Sequence, residues 1–407
     1  MKIVYISKYT VLPAFGAPSR QYFLSAYLSK INDNEVLLIG SKSTMGNVQD
    51  FDGLFQSQKE GSLETVTLNG PKIDLGFNLK RLWSWLVFEI NILRYKKKIK
   101  EFKPDLIIVS SLSILTFLTG TYLKKKLKIP LVVEVRDIYP LTLIDIGKFK
   151  KWNPIILFLK WVEKIGYKNA NLLVSTLPKA DEHFMSVLRR PVNFFWLPMG
   201  IDFQYYNSNA RFIPSQINYK KEGDFLVLYA GTFGKANALE HIFQISQELL
   251  VSHPQIKFKF IGDGPLKQFF MDEYQDANNI IFGDFVPKSH LPFVLKDADL
   301  LINTWLDIPI YRFGISPNKW MDYMNASKPI LVAYSGYKCI IEEAECGIYV
   351  PAENKSAMIK AILEFYHMPK QQREKLGENG KRYLMNHLTY ERHANDLYQK
   401  LIELKNR

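Results

Sequence analysis

The sequence predicts an α/β fold built from two doubly wound, Rossmann-like parallel sheets, and three observations predict it. Short runs rich in Val, Ile and Leu alternate with helical runs along the chain, which is the pattern of parallel strands joined by crossover helices. A length of 407 residues is more than one core usually organises, so two or three domains are expected. A polar, aromatic, irregular stretch at residues 203–223 splits the series and suits a linker.

In the first half, strands are predicted at 2–7, 35–40, 105–110, 130–137, 171–176 and 192–198. Helices are predicted at 21–30, 78–100, 114–126, 153–168 and 178–188. Residues 106–123 are long and apolar, but Ser110, Ser111, Ser113, Thr116, Thr119, Gly120 and Thr121 divide them. A strand, a turn and a helix explain them better than a span of about 20 apolar residues. In the second half, strands fall at 224–231, 256–261, 280–282, 298–303, 328–334 and 346–351. Helices fall at 238–250, 291–297 and from 355 onward.

Composition narrows the function. With 47% hydrophobic and 23% charged residues, the chain is globular rather than disordered. Its two cysteines, Cys339 and Cys346, fit a reducing cytoplasm and exclude a disulfide scaffold. No His and Cys cluster has metal-ligand spacing, so no metal is expected. Residues 1–200 hold 29 Lys and Arg against 16 Asp and Glu, whereas the remainder is balanced at 24 each. The excess charge of the first half points to an anionic partner there. Within 78–100, aromatic and aliphatic residues such as Trp83, Trp85 and Phe88 mix with Lys80, Arg81 and Lys96 to Lys98. That mixture suits an anionic membrane interface, or else a core helix with a solvated basic end.

Four stretches hold candidate site residues. In 8–20, Gly16 lies between Pro13 and Pro18 and precedes a helix. Residues 130–140 end a buried strand on Glu134, Arg136 and Asp137; such charges are costly unless paired or used. Residues 232–237, Thr-Phe-Gly-Lys-Ala-Asn, join a strand to a helix and form a phosphate cradle by shape, with Thr232, Gly234 and Lys235 as candidates. The most informative stretch is 313–330, Phe-Gly-Ile-Ser-Pro-Asn-Lys-Trp-Met-Asp-Tyr-Met-Asn-Ala-Ser-Lys-Pro-Ile. Pro317 is expected in the first helical turn, with Ser316 capping the free amides. Trp320, Tyr323 and Met324 share an apolar face, and Asn318, Lys319 and Asp322 fall elsewhere. Amide, hydroxyl and ammonium donors at a helix start form an anion site. A carboxylate one turn in can accept from two ribose hydroxyls. Together they suit a nucleotide diphosphate.

The 313–330 block, with its Ser-Pro-Asn-Lys and Asp-Tyr-Met strings, resembles the donor-sugar motif of GT-B glycosyltransferases of the family-4 type. In particular it resembles the version seen in transferases of bacterial O-antigen and capsule assembly, such as the N-acetyl-L-fucosamine transferases. The Glu-Val-Arg-Asp-Ile-Tyr-Pro string at 134–140 resembles the same subgroup, and 196–202 resembles the Pro-Asn-Gly-Val-Asp turn of the broader family, with Met199 in place of Asn. The pattern departs from the broader family at Gly314, where the first of two glutamates usually stands, and at Thr232, where an arginine usually stands. The resemblance implies two domains facing a cleft, with residues 1–203 holding the acceptor and 204–388 the nucleotide-sugar. Residues 389–407 are then a helix crossing back to the first domain.

It further implies transfer of an N-acetylated deoxysugar from a UDP-linked donor, with retention and no cofactor or metal. The acceptor implied is a lipid-carrier or oligosaccharide acceptor for surface polysaccharide, met at the inner face of the cytoplasmic membrane. Asp137, Arg136, Lys235 and Lys319 are the implied catalytic residues. Gly16, Thr232, Gly234, Lys235, Val286, Gly314, Ile315, Ser316, Asn318, Lys319 and Asp322 are the implied donor-binding residues. Two other readings stand beside it: a nucleotide-sugar epimerase of the same fold, and a basic α/β protein docking on nucleic acid. The latter lacks any nucleic-acid motif, so no nucleic acid is expected as a partner.

Overall fold

A computed structural model describes residues 1–44, 51–71, 79–147, 149–209, 220–337 and 339–406. The chain divides into two compact units, Met1–Pro198 with Tyr390–Arg407, and Met199–Thr389. These limits differ slightly from the expected 203 and 388. Ile201 donates its amide to Leu388 at 2.8 Å and bridges Thr389, so both crossing strands of chain are tied together inside the second unit. Residue 78 of the expected second helix and residues 210–219 of the expected linker lie outside the described residues.

The first unit runs β1 (Lys2–Ile6), α1 (Arg20–Leu28), β2 (Glu35–Ser41), β3 (Phe55–Glu60), β4 (Leu63–Leu68), α2 (Leu79–Phe102), β5 (Leu106–Ser110), α3 (Thr116–Leu127), β6 (Leu131–Val135), α4 (Leu141–Asp145), α5 (Pro154–Asn169), β7 (Leu172–Ser175), α6 (Ala180–Leu188) and β8 (Phe194–Trp196). Its sheet has the order β3-β4-β2-β1-β5-β6-β7-β8. All pairings are parallel except β3 with β4. The hydrophobic pattern marks no strand in 51–70, yet β3 and β4 lie there. β3 is an exposed edge of mostly polar residues, and β4 buries Thr65 and Thr67 beside Leu63 and Val66. Neither presents the apolar run that marks a buried parallel strand.

The second unit runs α7 (Phe203–Asn209), β9 (Phe225–Ala230), α8 (Leu239–Ser252), β10 (Ile256–Ile261), α9 (Lys267–Glu273), β11 (Ile280–Gly283), α10 (Leu291–Leu295), β12 (Leu300–Thr304), α11 (Asn318–Asn325), β13 (Ile330–Ala333), α12 (Ile340–Glu343), β14 (Gly347–Val350), α13 (Lys355–His367) and α14 (Lys370–His387). Its sheet is wholly parallel in the order β11-β10-β9-β12-β13-β14. This is the doubly wound arrangement whose strand order reverses between β9 and β12, and ligands of such sheets bind beyond the strand ends at that reversal. Phe243 of α8 stacks on Phe260 and Phe270, with ring centroids 4.1 and 4.3 Å away, and anchors the core beneath it.

α15 (Tyr390–Lys405) belongs to the first unit. It buries Tyr390, Ala394, Leu397, Leu401 and Leu404. Tyr390 stacks on Phe23 of α1 at 5.0 Å, and Lys405 pairs with Asp105 at 3.1 Å.

Candidate active site

In the second unit the strand reversal brings the loop after β9 against the start of α11. The Lys319 ammonium donates to the Asn237 side-chain oxygen at 2.8 Å and to the Tyr229 hydroxyl at 3.2 Å. It also lies over the Tyr229 ring at 4.6 Å. Both of those partners donate in turn to the carbonyl of Thr232, at 2.8 Å from Tyr229 and 2.9 Å from Asn237. Thr232, Gly234 and Lys235 therefore sit on one loop whose base is pinned by Lys319. Thr232 and Lys235 are exposed, and Lys235 begins the short 3-10 turn that leads into α8. Burial pushes the Lys319 ammonium down to about 7.

Close backbone approach fixes that loop. Phe233 accepts from Leu266 and donates to Asp263, both through backbone groups at 3.1 and 2.9 Å. A Cβ on Gly262 would lie 1.9 Å from the Gly231 carbonyl oxygen. Gly264, at φ +152, would place one 2.7 Å from the Phe233 backbone. The Gly262-Asp-Gly-Pro265 turn thus braces the Thr232–Asn237 loop from below, a role sequence reasoning passed over although the paired glycines signalled it.

α11 is held as firmly. The Tyr323 hydroxyl accepts from the Ala230 amide at 2.9 Å, and the Trp320 indole donates to Asn303 at 3.0 Å. The helix starts one residue later than expected: Pro317 is its extended N-cap residue and no side chain caps it. Ser316 does not cap; its hydroxyl accepts from the Met199 amide at 3.0 Å. Gly314 takes φ +91 at the end of the preceding 3-10 turn, where only glycine is unstrained. Gly314, Ile315 and Ser316 thus lead directly into the helix, and Asn318 is exposed at its first turn.

Asp322 is buried rather than on the expected polar face. The Lys288 ammonium stands 3.7 Å from its Oδ1, beyond hydrogen-bond reach, and Oδ1 has no hydrogen-bond partner among the described residues. Burial outweighs that ammonium and pushes the carboxyl up to about 8. Lys288, itself pushed down by burial to about 8, ties α11 to the loop bearing the buried Val286.

In the first unit, Gly16, Arg136 and Asp137 follow strand ends of its own sheet. Gly16 is exposed at φ +145. The Arg136 amide donates to Ser111 at 2.8 Å, while its Nε is buried without a hydrogen-bond partner among the described residues. Asp137 is exposed. Glu134 pairs with neither: it accepts from Arg20 at 2.9 Å, Tyr5 at 2.7 Å and Ser110 at 2.6 Å. Arg20 also donates to the carbonyls of Leu197 and Pro198, so it is a structural clasp and not free for a ligand.

Sequence reasoning missed a second polar group at these strand ends. Lys8, fully buried, donates to Ser43 at 3.1 Å. Glu89 accepts from Thr116 at 2.9 Å and from Thr119. Burial pushes Glu89 up and Lys8 down, each to about 7. A lone Lys after a strand and a lone Glu within an apolar helix carry no spacing signal.

Residues 212–383 match the family Glycosyl transferases group 1. The chain has the GT-B fold, and within it residues 212–383 form a glycosyltransferase group 1 domain. The chain is 25% identical over 289 residues to the probable glycosyltransferase WbjE of Pseudomonas aeruginosa, covering 68% of this chain and 70% of that one. Its fold is similar to that of sucrose-phosphate synthase from Thermosynechococcus elongatus, with a TM-score of 0.75 at 16% identity over 99% of both chains. It is also similar to Anabaena Alr3699/HepE, solved in complex with UDP and glucose, with a TM-score of 0.67 at 14% identity over 99% of this chain and 100% of that one.

Proposed function

We propose that the second unit holds a UDP-linked sugar and that the enzyme moves that sugar, an N-acetylated deoxysugar, to a lipid-linked or oligosaccharide acceptor of bacterial surface polysaccharide. One observation carries this reading: Lys319 is hydrogen-bonded to Asn237 at 2.8 Å, two residues beyond Lys235, so two loop-to-helix junctions share one network. The crystal form of HepE with UDP and glucose supports the choice of donor class.

In this scheme the anomeric bond breaks to an oxocarbenium-like sugar, and negative charge collects on the diphosphate. Lys319 is a pre-positioned donor for that charge, and the exposed Lys235 closes on it from the other side. Asp322 accepts the ribose hydroxyls. Arg136 and Asp137 of the first unit orient the acceptor or the donor sugar, and the configuration is retained. Fixed cations do the work that a divalent ion does elsewhere, so neither metal nor cofactor is required.

Calorimetric titration with UDP tests it. Lys319→Met weakens UDP binding by roughly tenfold or more, as loss of a charge-assisted donor does. Wild-type affinity declines as pH rises above about 7, because the ammonium that meets the diphosphate deprotonates there in the free protein. The Lys319→Met variant lacks that decline. Lys235→Ala lowers the rate of transfer by roughly 10²–10³. Unchanged UDP affinity in Lys319→Met, or transfer abolished by a chelator, refutes the scheme.

A further inference from the structure

The first unit carries apolar surface in an arrangement its own core does not explain. α2 has two apolar stripes. Trp85, Phe88, Ile92, Tyr95 and Ile99 face inward and are buried. Trp83, Leu86, Ile90 and Leu93, at the same helical spacing, face outward, with Trp83 58% exposed. A helix that is apolar on both faces meets a second apolar phase. α5 repeats the pattern. Its inner face buries Ile156, Leu159 and Val162, and its outer face exposes Leu157, Phe158 and Trp161. Trp152, just before α5, is 73% exposed.

These outer faces belong to one layer. α2 packs on α3 and α3 on α5. A Cβ on Gly166 of α5 would lie 2.6 Å from the Phe117 ring of α3, so the two helices are locked together. Lys96 of α2 reaches over the exposed Tyr122 of α3 at 5.9 Å. Among the described residues, most of the exposed large hydrophobic side chains of the whole chain fall on this layer or at its rim.

Charge decides what covers it. Exposed cations run along all three helices: Lys80 and Arg94 on α2, Lys125 and Lys126 on α3, Lys160 and Lys164 on α5. The single exposed acid of these helices is Glu101, and Lys98 neutralises it at 3.4 Å. A protein interface depletes lysine at its apolar core, and a second copy of this face would bring cation against cation. Anionic phospholipid accepts both the lysines and the tryptophans, which favour the boundary between headgroups and acyl chains. No helix among the described residues is long and apolar enough to cross a bilayer.

We propose that the outer face of α2, α3 and α5 is a docking surface for an anionic phospholipid bilayer, entered by its tryptophans and held by its lysines. The proposal deepens the lipid-linked acceptor reading, and rests on it for why the enzyme visits a membrane.

Co-sedimentation with vesicles tests it, using phosphatidylcholine alone and phosphatidylcholine mixed with phosphatidylglycerol. The wild-type protein partitions onto the mixed vesicles, less so as salt rises, and weakly onto phosphatidylcholine. Lys125→Glu with Lys126→Glu lowers partitioning by roughly 25-fold or more, at about fivefold per lysine removed. Phe158→Ser with Trp161→Ser lowers it by roughly tenfold or more on the same vesicles. All these side chains are exposed, so the variants keep the wild-type thermal midpoint. Equal partitioning on both vesicle types, or wild-type partitioning by either variant, overturns the proposal. So does a wild-type dimer in sedimentation velocity that the aromatic variant dissolves while vesicles retain nothing. UDP binding without vesicle retention overturns this surface and leaves the donor site standing. Vesicle retention without UDP binding does the opposite.

Discussion

Asp322 is a carboxyl group buried beside an ammonium that does not quite reach it, 3.7 Å away. Its folded-state value is raised to about 8, so at neutral pH the folded chain holds a proton that the unfolded chain has released. Stability from this group is complete below about pH 4 and is lost as pH rises through about 8. Asp322→Asn removes that loss. In scanning calorimetry the variant's midpoint should exceed the wild-type midpoint by an amount near zero at about pH 4 that grows toward pH 8. The gain there corresponds to about 1–3 kcal/mol, the usual cost of a buried polar atom left without a partner. A gap that does not widen with pH would show that Lys288 already neutralises the carboxylate. Asp322 and Lys319 stand out in the sequence because both lie within one helical turn of a Ser-Pro-Asn-Lys string, but the burial of Asp322 departs from the polar face expected for it. Ser316 was misread. Its hydroxyl serves Met199, 117 residues away, and such a distant partner leaves no trace in local capping rules. Glu134 stands at the end of a buried strand as expected, but its partner Arg20 lies 114 residues away and could not be read locally.

At the scale of elements, strand–loop–helix junctions were readable wherever an apolar run of Val, Ile and Leu met a glycine turn. Ile256–Ile261 is a strand in sequence and structure alike. β3 and β4 escaped because their polar, partly exposed residues lack that contrast. The pairing of two turns, Gly231–Gly234 against Gly262–Gly264, was only half readable: the glycines signal a close approach, but a contact between backbones does not name its partner. It makes a sharp prediction. Gly262→Ala inserts a Cβ 1.9 Å from the Gly231 carbonyl oxygen at φ +135. The strain and displacement together should destabilise the protein by about 2–4 kcal/mol. The loop bearing Lys235 shifts with it, so UDP affinity should fall in Gly262→Ala and hold in Gly223→Ala. Gly223 also has a positive φ of +86, but open space surrounds its Cβ position. Thermal denaturation and UDP titration of the two variants make the comparison.

At the scale of the molecule, the two-sheet architecture followed from alternation alone. α15 leaves the second unit and completes the first. Each of its buried leucines and its Tyr390 stabilises by about 1.5–3 kcal/mol, and together they rival the whole net stability of a domain. Removing residues 390–407 should therefore unfold the first unit. Limited proteolysis should then cleave within residues 1–198 and spare a fragment spanning 199–389. Equal resistance of both units would show that α1 needs no cover.

The position of α15 also sets the order of events during synthesis. Domains usually fold from the amino end as they leave the ribosome. Here the residues of Met199–Thr389 are contiguous and are all translated before Tyr390 is. The middle of the polypeptide can thus mature first, while the opening residues wait with α1 bare. A chain released at Thr389 would hold the whole of the second unit and leave the first without its closing helix.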